Sequence, residues 1–261
     1  MSAARITELW RYPVKAMAGE RLEHAVVVGG QLEGDRAWGV FDRDAQTLLS
    51  AKRLPALLEA RARWRGAPGA GVVEIELPTG QVAVAGEPAA DAALSAWLGR
   101  PVALRQPTPE QASTIEMDVL DDTGEVARIG SFQTRPGSRF DSRSPLHLLN
   151  AATGRQLDAE HGPGAGDPRR YRPNVVIDGA AALDELAWVE GRVALGGLTA
   201  WVRTRTERCV VITRAQPGVP ADRALLRHVA ARHEVCVGVY LHPDGDGPIA
   251  VGDAVGPAEP T

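Results

Sequence analysis

Leu198-Thr199-Ala200-Trp201-Val202-Arg203-Thr204-Arg205 alternates apolar and polar residues, and Thr206-Glu207-Arg208-Cys209-Val210-Val211-Ile212-Thr213 follows without a break. Alternation with period two is the pattern of a half-buried strand, so this stretch predicts a strand that delivers a cysteine at its end. Arg203, Arg205 and Arg208 all lie within six residues of that cysteine. Cationic neighbours favour the thiolate, which is both the nucleophile and the metal-binding form of the side chain. At an effective dielectric of about 20, one guanidinium roughly 4 Å from the sulfur contributes about 4 kcal/mol of Coulomb attraction before desolvation is subtracted. If those side chains face Cys209, that carries its pKa through neutrality. The alternative is an inert, buried cysteine that behaves as a small hydrophobe.

Working outward, most of the chain reads as short strands. Ile6–Trp10, Val72–Leu77, Val175–Ile177, Val193–Leu195, Val237–Leu241 and Ile249–Val251 carry β-type runs. Gln81–Ala85 follows the turn signal Pro78-Thr79-Gly80 and is expected to pair with Val72–Leu77 as a hairpin. With 28 glycines and 19 prolines punctuating these runs, the pattern is that of an all-β sandwich or barrel. Three helices interrupt it. Pro88–Leu98 stops at Gly99, a second is capped by Asn150 and runs through Glu160 although Gly154 weakens it, and a third spans Pro220 to His233. The acidic stretch Glu116–Glu125 reads as a connector or surface loop, and the residues after Val255 as a frayed tail.

Composition narrows the classes. The chain has 261 residues, a net charge of −4 and 44% apolar residues, which suits a globular protein and argues against non-specific nucleic-acid binding. No apolar run is long enough for a membrane span, and the first residues lack the apolar segment of a signal peptide. Two cysteines, Cys209 and Cys236, make no disulfide framework, so a reducing cytoplasm is expected. Cys236 reads as a buried, inert thiol. Of the 29 basic residues only Lys15 and Lys52 are lysines, which singles out each of them. The six histidines show no metal-ligand spacing; His228 and His233 are five apart, off the i, i+4 pattern of a shared metal. No P-loop, dinucleotide fingerprint or Gly-Xaa-Ser-Xaa-Gly elbow is present in the sequence.

Four segments in order carry a resemblance: Trp10-Arg11-Tyr12-Pro13-Val14-Lys15, Gly34-Asp35-Arg36-Ala37-Trp38-Gly39-Val40, Tyr171-Arg172-Pro173-Asn174-Val175-Val176-Ile177, and Arg208-Cys209. With Gly252-Asp253-Ala254-Val255, they resemble the MOSC family, the fold named for the C-terminal domain of molybdenum cofactor sulfurase. The subgroup it is most similar to has an N-terminal MOSC-associated β domain and includes the mitochondrial amidoxime-reducing component and bacterial relatives. The resemblance implies a mainly β (α+β) protein with a few short helices. A smaller N-terminal β domain over residues 1–105 would precede a MOSC β-barrel over 106–256 and a tail over 257–261, with the cofactor in the cleft between the domains.

The resemblance also implies a mononuclear molybdenum cofactor (Mo-molybdopterin), with Cys209 as catalytic residue and metal ligand. Its phosphate and pterin need ammonium, guanidinium and amide partners. Lys15, Arg36, Arg172, Asn174, Arg208 and, more weakly, Ser144 match the family's contact positions. Two departures stand out: Val-Val-Ile-Thr follows Cys209, and Ala16 follows Lys15 where many relatives have a hydroxyl. The implied activity is reduction of N-hydroxylated small molecules such as amidoximes or hydroxylamines. Two cysteines cannot supply the four ligands of an iron–sulfur cluster, so electrons are expected from a separate ferredoxin or flavin reductase. Persulfide transfer through Cys209 and a non-catalytic cofactor carrier remain the alternatives.

Overall fold

The computed structural model describes residues 4–258, apart from 109, 111, 121–125, 134–139 and 141–144. The chain divides into two compact units that are not consecutive stretches. Residues 1–11, 21–33 and 143–261 form one, and residues 12–20 and 34–142 form the other.

The first unit is built on a closed barrel of seven strands. Around the ring run Val175–Asp178, Leu146–Asn150, Cys236–Pro243, Leu198–Glu207, Arg192–Leu195, Ala254–Ala258 and Ala4–Arg11, and the last pairs back to the first. Glu20–Leu22 pairs with Ala4–Arg11 outside the ring. Leu146–Asn150 and Val175–Asp178 are parallel, which requires a crossover, and helix Ala151–His161 supplies it. The inward residues of every strand meet in one core that includes Ile6, Leu9, Leu148, Ile177, Val202 and Leu241. Closure leaves the ring without the unpaired edges of an open sheet.

A second core lies outside the ring. Leu149 and Val237, from the outer faces of two strands, pack with Leu157, Tyr171, Ile212, Leu225 and Val229. That cluster ties helix Ala151–His161, the short helix Pro168–Tyr171, the 3-10 turn Val210–Thr213 and helix Leu225–His233 to the barrel wall. All five residues of Leu146–Asn150 are buried, as expected for a strand covered on both faces.

Helix Ala151–His161 begins where the sequence places it, with the Asn150 side chain accepting from Ala152 N at 3.0 Å. Gly154 inside it has a packing reason: a Cβ there would stand 2.8 Å from the Gly166 carbonyl oxygen. Gly154→Ala is therefore expected to destabilise the protein by about 1–3 kcal/mol through overpacking, against the roughly 1 kcal/mol that alanine gains in helix propensity. Thermal or urea unfolding checks the sign; a stabilised variant would mean that the 166 segment yields freely.

The third helix starts at Leu225 rather than Pro220. Asp222 Oδ1 accepts from Ala224 N at 3.0 Å and Leu225 N at 3.1 Å, so the residues ahead of Leu225 form its cap. The short helix Pro168–Tyr171, absent from the sequence expectation, is led by proline and capped by Asp167.

In the second unit, Arg61–Arg65, Val72–Glu76 and Val82–Val84 form a three-stranded antiparallel sheet. Its hairpin turns at Gly80, whose φ of 83° suits glycine. Gly39–Asp42 pairs with Val102–Arg105, and helix Pro88–Leu98 ends on a left-handed Gly99. The acidic stretch is not a plain connector: Thr114–Leu120 pairs antiparallel with Val126–Gln133. Ile115, Met117 and Val119 alternate there with Glu116 and Asp118, a period-two pattern masked by the acidity. Among the described residues no helix is long and apolar enough to cross a membrane.

Candidate functional site

Cys209 lies just past the strand Leu198–Glu207 and caps the turn Val210–Thr213, with extended backbone at φ −126°. The turn docks through buried Ile212 into the second core, which fixes the cysteine while leaving it half-buried. Register shifts between Val202 and Thr204 and between Arg205 and Glu207 break the strand's alternation. Consequently Arg203, Thr204 and Arg205 are all exposed. Arg203 approaches His242 at 3.4 Å and Arg205 pairs with Glu234 at 3.1 Å. The expected ring of three arginines thus reduces to Arg208.

Arg208 is half-buried as a residue, with its guanidinium packed inside. Burial pulls its pKa below the ordinary arginine value, opposed by Tyr240, Tyr171, Cys209 and Cys236. Its Nε donates to Val237 O at 2.9 Å and an Nη to Tyr171 O at 3.1 Å, while the other Nη meets His147 Nε2 and Val237 O. The guanidinium also stands 5.2 Å from the centroid of the Tyr171 ring. A guanidinium only donates, so His147 Nε2 accepts and a neutral His147 carries its proton on Nδ1. Gly238 makes room for this arrangement: at φ 76°, a Cβ would lie 2.5 Å from Leu148 O and 2.7 Å from His147 Nε2.

Asn174 is buried, and its amide meets the barrel seam. Nδ2 donates to Trp10 O at 3.2 Å and Oδ1 accepts from His147 N at 3.3 Å. Its backbone donates to His147 O and accepts from Trp10 N, each at 2.8 Å. Arg172 closes the short helix in the left-handed region at φ 55°, with its N donating to Pro168 O. A non-glycine residue pays about 1–2 kcal/mol for that conformation, and such strain is characteristic of functional positions. Arg172, Asn174, Arg208 and Cys209 are thus gathered in one unit through His147 and Tyr171.

Lys15 and Arg36 belong to the other unit and are gathered around Phe140. Lys15 Nζ donates to Phe140 O at 3.0 Å, and Phe140 N donates to Arg36 O at 3.3 Å. Lys15 N donates to Trp38 O at 2.8 Å, and the following Ala16 is left-handed at φ 69°. Arg36 is left-handed too, pairs with buried Asp35 and lies 4.9 Å from the Tyr12 ring centroid. The other Asp35 oxygen accepts from Tyr12 N at 2.7 Å, so this Asp-Arg pair is an inward bracket in a turn. Ser144 lies outside the described residues.

Several site residues are not evident from the sequence. His147 sits in the apolar run Leu146-His147-Leu148-Leu149, where a buried polar side chain demands a partner; that demand is the available signal. Arg170 is buried and donates to the carbonyls of Gly164, Ile212 and Pro220 at 2.7–3.0 Å. The Tyr171 hydroxyl donates to Ala165 O at 2.6 Å, and burial pushes its pKa well above the usual phenol value. Cys236 is buried, and burial raises its thiol pKa. Glu160, from another helix, joins His228 and His233 with all ligating atoms within 4.8 Å of one another.

A half-exposed thiol beside a packed guanidinium is a donor set that suits a soft, sulfur-ligated metal with anionic substituents. Arg214 closes the turn that Cys209 opens, and its buried Nε has no hydrogen-bond partner among the described residues, which leaves a donor for an anionic group.

Residues 136–256 match the family model described as the MOSC domain, and residues 3–103 match the MOSC N-terminal beta barrel domain. Among solved structures, the YuaD protein from Bacillus subtilis is similar at 11% identity and a TM-score of 0.48, over 97% of this chain and 94% of that one. YiiM from Geobacillus stearothermophilus is similar at 11% identity and a TM-score of 0.35, over 58% of this chain and 75% of that one. No curated protein matches the chain.

Proposed function

The chain belongs to the MOSC domain family and carries that family's N-terminal barrel domain as well; from this premise we propose that it is a molybdenum-cofactor-dependent reductase of N-hydroxylated small molecules. The observation that carries the proposal is the half-exposed thiol of Cys209 held beside Arg208 inside the matched MOSC residues. When bound, Mo-molybdopterin supplies the two-electron, oxygen-accepting chemistry.

The protein's own residues bind and orient it. Cys209 provides the thiolate ligand. Arg208 holds positive charge next to that thiolate and fixes the turn through Tyr171 and Val237. Arg172 offers a strained, preorganised cation, and Asn174 keeps the seam beneath it in register. Lys15 and Arg36 supply cationic contacts for the phosphate and the pterin. Electrons come from a separate ferredoxin or flavin reductase.

Metal and pterin analysis of the purified protein, followed by turnover assays, tests the proposal. The expected result is stoichiometric molybdenum and reduction of an amidoxime with a reduced viologen, with no turnover on NADH or NADPH alone. Lys15→Ala and Arg172→Ala should each lose cofactor on dialysis while unfolding at nearly the same temperature, since each removes a charge-assisted bond of about 1.5–3 kcal/mol. Full occupancy without turnover would make the protein a carrier, and a trapped persulfide on Cys209 would make it a sulfur transferase. NADH-driven turnover by a homogeneous sample would overturn the electron route.

A further inference from the structure

Outside the Cys209 region, three side chains from two helices converge on one point. Glu160 Oε2 lies 3.2 Å from His228 Nε2 and 2.8 Å from His233 Nε2. The three ligating atoms fall within 4.8 Å of one another. The other Glu160 oxygen accepts from Gln156 Nε2 at 2.6 Å, one turn earlier on the same helix, which fixes the carboxylate's orientation. His161 packs against the His228 ring at 4.9 Å between centroids and is held by Asp222 at 2.8 Å. The side chains of Glu160, His228 and His233 are 20%, 17% and 5% exposed, so the point is enclosed by protein yet open to solvent on one side.

These dimensions are those of a small metal site. Ligand atoms around a tetrahedral zinc, with bonds of about 2.0–2.2 Å, stand roughly 3.3 Å apart. The separations of 3.2 Å and 2.8 Å from Glu160 Oε2 to the two imidazole nitrogens lie close to that value. The five-residue spacing of the histidines is no obstacle, because the third ligand comes from a different helix and the ring centroids are 6.0 Å apart. The Glu160 carboxylate supplies the anionic ligand, and the Gln156 hydrogen bond holds its orientation.

We propose that Glu160, His228 and His233 form a binding site for a divalent cation of the zinc class, separate from Cys209. Two imidazoles and one carboxylate select a borderline transition ion over calcium or magnesium, which prefer all-oxygen shells. Three protein ligands leave at least one coordination position for water. Gln156 acts on the ion through Glu160 and is a positioning residue. The bound ion ties helix Ala151–His161 to helix Leu225–His233, the two helices that flank the turn behind Cys209 in the second core.

The test is titration of the full chain, stripped with a chelator, with cobalt(II) as a visible probe and zinc(II) as its competitor. The expected result is one cobalt with the absorption of a four- or five-coordinate ion, displaced by zinc, with a raised unfolding midpoint. Glu160→Gln, His228→Ala and His233→Ala should each weaken uptake by more than about 100-fold, the upper end of what losing a supporting partner alone costs. Gln156→Ala should weaken it by about tenfold, and Cys209→Ser should leave it unchanged. Circular dichroism of Glu160→Gln, which preserves size, separates loss of a ligand from loss of fold. Absence of uptake by the parent chain, uptake that survives all three ligand substitutions, or uptake lost only with Cys209→Ser each overturns the site.

Discussion

Cys209→Ser is expected to reduce viologen-driven turnover to background and to release molybdenum, while the unfolding midpoint stays close to that of the parent. A neutral hydroxyl replaces a soft thiolate, and neither metal affinity nor nucleophilicity survives that exchange. The side chain is only half-buried, so its removal costs the core little, about 1 kcal/mol or less. Cys236→Ser is the matched control. It places a hydroxyl at a buried strand position and should lower stability by about 1–3 kcal/mol if the hydroxyl finds no partner, with turnover per folded molecule unchanged. Loss of turnover in both variants at equal folded fraction would sink the assignment of Cys209.

Arg208→Ala carries the largest expected effect on stability, about 2–4 kcal/mol. It strips donors from Val237 O, Tyr171 O and His147 Nε2, and an unsatisfied buried acceptor costs about 1–3 kcal/mol. The three losses do not add fully, because removing the guanidinium also relieves the desolvation that lowers its pKa. Arg208→Lys should recover part of the stability but not the site, since one ammonium cannot reach three acceptors in a planar fork. Denaturant unfolding reads the first effect and cofactor content the second. A variant as stable as the parent would mean that the three acceptors find other donors, and the bracing role would fall.

The strands were legible because alternation directly reports a half-buried face: Leu198–Glu207, Val72–Glu76 and Ala4–Arg11 all declare themselves. Helix caps were equally plain at Asn150 and Gly99. What alternation does not carry is the partner of each strand. Nothing local in Ala4–Arg11 says that it pairs with Val175–Asp178 and Ala254–Ala258. Nor does it carry bulges, and the shift at Val202/Thr204 is why Arg203 and Arg205 turn to His242 and Glu234. The motif around Cys209 names Arg208 and Cys209 as candidates. The groups around Arg208, namely His147, Tyr171 and Gly238, are set by tertiary contacts between segments far apart in sequence. Glu160 and His228, 68 residues apart, escape any search by spacing for the same reason.

The seam of the barrel also sets an order of events as the chain is made. Ala4–Arg11 leaves the ribosome well before its partners, yet Arg5 is opposite Asp178 on one side and Ala254 on the other. Its pairing with Val175–Asp178 must wait for more than half the chain, and the ring cannot close before Ala254–Ala258 arrives. Residues 12–20 and 34–142, which together make the other compact unit, are synthesised in that interval and can collapse on their own contacts. Until closure, the nascent protein carries a waiting strand with open hydrogen-bonding groups, the kind of edge that recruits wrong partners in crowded translation.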